Sequence, residues 1–336
     1  DRLMEFDLIL GNGLRAAFGS QAATYALLAI GLNMHFGYAG LSNFGQVGFM
    51  MLSAYGTSVM VATWGGSLWI GIVFGLALCV AFALAMGIPT LRLRSDYFAI
   101  TTIAAAEVLR ILIRSTSATD LTGGPFGLNG VAGDFIDLNP FGTDRYGIGT
   151  FAYTGQQLWV MTVAWGLVLL STLLLWGLMR SPWGRVVLAI REDEDAASSL
   201  GKNAFAYKLQ ALAIGGVIGG LAGTIDVLQQ SGVTPVSYRP EVTFFAYTAL
   251  ILGGVATRIG PIVGAMLFWL LKESLETTLR QLTSVDWLPD FVIDFVDGSE
   301  GAISIALVGL SLMLLVAFRP QGIFGDRTQM VLEVRK

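Results

Sequence analysis

LWIGIVFGLALCVAFALAMGIPTL, residues 68 to 91, contains no Asp, Glu, Lys, Arg or His. A helix needs roughly 20 apolar residues to cross the hydrocarbon core of a bilayer, and this run is long enough. Upstream, the chain carries no Asp, Glu, Lys or Arg back to Ala16. Over all 336 residues, 54% are hydrophobic and only 13% charged, where a soluble domain carries about 25% charged residues. The mean hydropathy of +0.67 agrees. The chain therefore reads as an all-α polytopic membrane protein.

Other classes fall away on composition. The pI near 5.1 offers no basic footprint for nucleic acid. Cys79 is the only cysteine and His35 the only histidine, so disulfide frameworks, Cys/His metal sites and His-based triads are not expected, and no catalytic residue or metal ligand is assigned. The opening DRLMEFDLIL has no basic region leading into a long apolar core, so it does not read as a cleavable signal peptide.

Nine apolar segments are expected: Ala17–Met34, Phe36–Ala62, Leu68–Leu91, Tyr97–Ile113, Gln157–Met179, Leu209–Ser231, Val242–Ala256, Pro261–Leu271 and Gly301–Phe318. The seventh and eighth are short and read as a broken or half-spanning pair around Ala256-Thr-Arg-Ile-Gly-Pro261. GYAGLSNFGQ (37–46) mixes three glycines with Ser42, Asn43 and Gln46, so the second segment reads as broken too. Non-helical backbone at membrane depth is tolerated where protein or a wet cavity surrounds it. Within GGVIGGLAG, Gly215, Gly219 and Gly223 are spaced by four, which lets another helix approach closely.

Basic residues set the expected orientation. Arg180, Arg185, Arg191, Lys202 and Lys208 share one loop, Arg92 and Arg94 another, Arg258 a turn, and Arg319, Arg327, Arg335 and Lys336 the tail. All fall on the cytoplasmic side if the N-terminus is outside and the spans alternate. The Asp-bearing loop 115–156 and the acidic loop 272–300, with Glu273, Glu276, Asp286, Asp290, Asp294, Asp297 and Glu300, then lie outside.

The longest cytoplasmic loop contains REDEDAASSLGKNAFAYK, residues 191 to 208. Acids from Glu192 to Asp195 suit a helix N-terminus, and Gly201 suits its end. Ala196, Ala197 and Leu200 fall at helical spacing and make a small apolar face. A surface helix of about two and a half turns is expected, too short to be stable alone in water. Consecutive acids would be repelled by an anionic leaflet, whereas a small apolar face fits a partner's groove; a solvated helix resting on the protein's own surface is the other reading.

Asp195-Ala-Ala-x-x-x-Gly201 resembles the EAA-x3-G coupling signature of ABC importer permeases. SPWGRVVLAIREDEDAASSLGKNAFAYKLQ (181–210) resembles the LivM-type permeases of the branched-chain amino-acid ABC importers, as do LNMHFGYAGLSNFGQVGF (32–49), LRLRSDYFAITTIAAAEVLRIL (91–112), LTGGPFGLNGV (121–131), LILGGVATRIGPIVGA (250–265) and FRPQGIFG (318–325). Asp195 stands where the general signature has Glu, and the later Ile-x-Leu-Pro is absent. The resemblance implies one transmembrane permease domain over 1–336 with a cytoplasmic coupling loop at 181–208. It implies about nine to ten helices of the type II importer class in a bacterial inner membrane. It further implies a second homologous permease, two P-loop ATPase subunits holding ATP and Mg, an external solute-binding protein and an amino-acid cargo. Glu194, Asp195, Ala196, Ala197, Leu200 and Gly201 are then the residues that meet the ATPase. The chain carries no phosphate loop of its own: Gly201-Lys202 is followed by Asn203, and Ala196 stands where the first glycine is needed.

Four polar residues are candidates for the translocation path: Asn43, Gln46, Thr101 and Glu107. Glu107 and Arg110 are three apart on one helix, readable as an ion pair or as path lining. Asn43 and Gln46 read either as interhelical hydrogen bonds or as part of a broken-helix site for a carboxylate. Thr101 and Thr102 could equally bond their own backbone. Asp226 is expected near water at a segment end, and His35 in a turn near the cytoplasmic face. Related permeases for urea, amides or nucleosides share the pattern. An ion-coupled secondary transporter is the reading from another class, and it has no need of the 192–200 helix.

Overall fold

The computed structural model describes residues 6–93, 95–149, 151–282, 298–318 and 322–325. Asp286, Asp290, Asp294 and Asp297 of the acidic loop, and Arg94, Arg319, Arg327, Arg335 and Lys336 among the basic residues, lie outside the described residues.

Helices α1 (Phe6–Phe18) and α2 (Ser20–Leu32) open the chain, and α2 runs on as a π-helical turn, Asn33–Tyr38. Residues 39–45 are not helical. Helix α3 (Gln46–Ser58) follows, extended by a second π-helical turn, Val59–Thr63, then α4 (Leu68–Thr90) and α5 (Ser95–Arg114). The next connection holds the short helices α6 (Thr119–Thr122) and α7 (Gly133–Asp137) around strand β1 (Leu128–Asn129), then a ribbon of β2 (Arg145–Ile148) and β3 (Phe151–Thr154). Beyond it come α8 (Gly155–Arg180), α9 (Pro182–Glu192), α10 (Glu194–Ser199) and α11 (Ala204–Gln230). Strand β4 (Gly232–Val233) pairs antiparallel with β1, and α12 (Glu241–Gly253), α13 (Gly260–Leu282) and α14 (Glu300–Phe318) complete the chain.

By length and composition α4, α8 and α11 can each cross a membrane. They occupy different places. Helix α11 is 78% buried over its apolar window and sits at the centre, whereas α4 and α8 are each 28% buried. The glycines of α11 explain how it gets there. A Cβ on Gly223 would lie 2.0 Å from the backbone oxygen of Met50, and one on Gly219 2.2 Å from the Gln46 amide nitrogen. At Gly223 no side chain fits, so α3 closes onto α11 backbone to backbone there. On the neighbouring face Cys79 of α4 is fully buried, its thiol donating to Phe49 O at 3.2 Å.

Helix α8 starts at Gly155 beside the β2–β3 ribbon and ends at Arg180 beside α9, so it joins two ends of the bundle. At a rise of about 1.5 Å per residue the two are roughly 40 Å apart. At the α9 end Arg180 and Arg258 both lie over the Trp176 ring, at 4.1 and 5.7 Å, and Arg92 lies 5.7 Å from the ring centre of Phe205. The described basic loops thus gather at one end.

Three expectations need correction. The chain is already helical at Phe6–Phe18, because Asp7 and Arg15 sit in the first and last turns, where the helix dipole favours them. The eighth segment is not short: α13 runs to Leu282, with Lys272 and Arg280 both paired to Glu276 along the helix. Asp226 does not reach water. It is 5% exposed, and Tyr238 Oη and Gln230 Nε2 each donate to it at 2.7 Å. His35 does lie in a turn, a π-helical one, and is completely buried.

Candidate functional site

The 191–208 stretch folds as two helices with a joint at Asp193, not as one. Ser181 caps α9 by accepting from Gly184 N, with Pro182 in its first turn. Helix α9 ends at Glu192 because Asp193 leaves the helical region and caps α10, its Oδ1 accepting from Ala196 N at 2.9 Å. Gly201, at φ +78°, then turns the chain through a left-handed conformation that glycine adopts without steric cost. Asn203 caps α11 by accepting from Ala206 N at 3.1 Å.

The expected apolar face is divided. Ala197 turns inward, 5% exposed, into a small cluster with Ile190 and Ala204. Leu200 points away from the protein at 82% exposure, and Glu194, Asp195, Ala196 and Gly201 are exposed around it. Glu194 also pairs with Lys208 of α11. A six-residue helix is far below the length that is stable alone, so these ties to α9 and α11 hold its shape.

Arg191 joins this tip to the bundle. Its guanidinium donates to Gly37 O at 2.5 Å, and its aliphatic stem packs on Gly40, whose φ is +68°. Gly37 and Gly40 flank the start of the non-helical stretch 39–45, so the loop and the break share one contact.

The break itself is sealed in protein. Asn43 and Gln46 are both completely buried. Asn43 Nδ2 spends its two hydrogens on His35 Nδ1 at 3.0 Å and Gln46 Oε1 at 3.2 Å, while its Oδ1 accepts from Gly45 N at 2.9 Å. With Nδ1 accepting, the His35 proton is assigned to Nε2, which donates to Leu212 O at 3.0 Å. Gln46 Nε2 donates to Gly215 O at 3.1 Å. These bonds replace those the broken helix cannot make, and they fasten it to α11.

Two path candidates lie elsewhere. Thr101 bonds back to Tyr97 O at 2.7 Å on its own helix. Glu107 receives two hydrogen bonds from Arg110, at 2.5 and 2.8 Å, with its side chain 34% exposed. Neither joins the Asn43 network. Thr102, Thr243 and Tyr247 do, and their neighbours in sequence gave no sign of it. Thr102 accepts from Phe44 N and Thr243 from Val47 N, both at 3.0 Å, while Tyr247 Oη donates to Asn43 O at 3.0 Å.

Residues 15–318 match the family described as branched-chain amino acid transport system / permease component. The chain belongs to this family. It is a membrane-spanning transport subunit of helical construction, and a permease rather than a catalytic component. Among relatives, the High-affinity branched-chain amino acid transport system permease proteins LivM of Salmonella typhimurium and Escherichia coli are 29% and 30% identical, over 89% of this chain and 67% of each relative. The Nucleoside ABC transporter permease protein NupC of Lactococcus lactis subsp. cremoris is 24% identical over 84% of this chain and 87% of its own length. A solved structure, PsaBC from Streptococcus pneumoniae in complex with Fab, aligns over 98% of this chain and 95% of that one at 18% identity, with a TM-score of 0.43.

Proposed function

We propose that this chain is the permease subunit of an ATP-driven importer of branched-chain or related amino acids. The observation that carries the coupling half is Leu200, 82% exposed at the tip of a loop whose every other tie runs back into the bundle. An apolar side chain so presented on a rigid support is suited to a partner's groove. We take that partner to be a separate ATPase subunit, a reading supported by the permease family and by the lack of a phosphate loop in these 336 residues.

In this reading two ATPase subunits, holding ATP and Mg, receive α10 through Glu194, Asp195, Ala196, Leu200 and Gly201. Ala197 acts from behind, as the inward anchor. When the ATPases close, α9 and α10 move as one piece, and Arg191 carries the displacement to Gly37 and Gly40. The break at 39–45 then shifts against α11, and Asn43 and Gln46 exchange partners near the path. Thr101 and Glu107 serve as outer-lying path residues. A second, similar permease and an external solute-binding protein complete the assembly, with the basic loops cytoplasmic, the N-terminus outside and the C-terminus inside.

The deciding experiment is uptake and ATP hydrolysis by the purified complex in liposomes, wild type against Leu200→Asp. The variant should fold and reach normal levels, yet lose ATPase subunits on purification and lose uptake by at least tenfold. Unchanged uptake at normal expression would sink the coupling assignment. Similarity to the nucleoside permease supports a second cargo reading, tested by competing labelled leucine uptake with nucleosides in the same liposomes.

A further inference from the structure

Helix α8 presents one graded face outward over its last three turns. Leu169, Leu173 and Trp176 lie on it, all exposed, and Arg180 follows one turn on, exposed as well. Spacings of four, three and four residues keep these side chains on a single helix face. At about 1.5 Å per residue the stripe is roughly 16 Å long, about half of a hydrocarbon core of roughly 30 Å. It runs from leucine through an indole to a cation. One lipid leaflet passes in the same order from acyl chain through interface to headgroup.

A second cation joins the stripe at its polar end. The guanidinium of Arg180 lies 4.1 Å from the Trp176 ring centre, and that of Arg258 lies 5.7 Å from it. Arg258 comes from the turn between α12 and α13, and that turn is fixed in place. Asn33 Nδ2 donates to Thr257 O, and Ala256 N donates to Asn33 Oδ1, both at 2.8 Å. The ring attracts each cation, but two like charges gathered on it repel one another. Among the described residues neither guanidinium forms an ion pair or donates a hydrogen bond. An anion bridging both would relieve the repulsion. A phosphodiester has the right shape, since guanidinium donors meet phosphate oxygens in pairs, and basic pockets between membrane helices take anionic headgroups.

We propose that this face of α8 binds one anionic phospholipid, its phosphate between Arg180 and Arg258 and an acyl chain along Trp176, Leu173 and Leu169. Free phosphate shares the headgroup chemistry but has no use for the apolar stripe. The site stands on α8 and the 254–260 turn, and needs neither a cargo nor the partner contact at Leu200.

The test is native mass spectrometry of the full chain, purified with its partners in detergent and titrated with phosphatidylglycerol, phosphatidylcholine or glycerol phosphate. Phosphatidylglycerol should be retained about tenfold or more tightly than phosphatidylcholine, with glycerol phosphate weaker than either lipid. Arg180→Gln combined with Arg258→Gln should remove the preference. Arg180→Lys combined with Arg258→Lys, which keeps both charges, should keep most of it, and Arg15→Gln, beside the start of α8, all of it. Trp176→Leu should weaken retention several-fold. Equal retention of the two lipids by the wild type would overturn the site, and that reading needs no variant to fold. A preference intact in the double Gln variant would overturn it too; if that variant also sheds ATPase subunits, the arginines belong to a protein contact. Glycerol phosphate bound as tightly as the lipid would assign a free phosphate and overturn the lipid. The assay reads lipid retention and not uptake, so it can fail while the transport reading stands, and the reverse.

Discussion

Helices α4 and α11 are nearly equal in length, at 23 and 27 residues, and both are apolar enough to cross a membrane. The more hydrophobic of them is the less buried. Helix α4 turns Ile70, Val73 and Ile88 outward at 60%, 68% and 51% exposure. Helix α11, richer in glycine and carrying Thr224 and Asp226, lies at the centre with 78% of its window buried, against 28% for α4. In lipid there is no hydrophobic drive to hide a leucine from its surroundings. Burial in the bundle goes instead to the helix whose backbone can be approached and whose polar groups need partners.

That contrast can be broken most severely at Gly223. Gly223→Leu must displace the Met50 backbone, which cannot yield, and should cost about 3 kcal/mol or more. Loss of folded protein on size-exclusion chromatography would show it. Next in size is Asn43→Leu, which strips hydrogen bonds from His35, Gln46 and the Gly45 amide in a dry interior. A cost of about 1–3 kcal/mol in all is expected, read as a lower midpoint of thermal unfolding in detergent. Val73→Ala on the outward face of α4 should change stability by about 0.5 kcal/mol or less. A large loss there would mean that this face is covered by protein.

Much of this was legible in the chain. The charge-free runs marked α2 to α4 because side-chain apolarity decides what lipid accepts. The break around Asn43 was legible because glycines and amides were crowded into an otherwise apolar run. The far half of α13 was not. Lys272, Glu276 and Arg280 look like the end of a span until their spacing of four is seen to pair them along the helix. The joint at Asp193 was hidden for a similar reason. Four acids in a row suit a helix start, and only the backbone shows that the third residue of REDED is the cap. Thr102, Thr243 and Tyr247 meet the break from distant parts of the chain, and no local pattern announces such a contact.

The protein also comes ready for labelling. Its single thiol, Cys79, is sealed between α3, α4 and α11, with its proton on Phe49 O, so a maleimide finds nothing to modify while the chain is folded. A cysteine placed at Leu200 would be the one reactive group on a silent background, without first engineering a cysteine away. Its rate of modification should be fast in the isolated subunit and fall at least tenfold once an ATPase is seated on the tip.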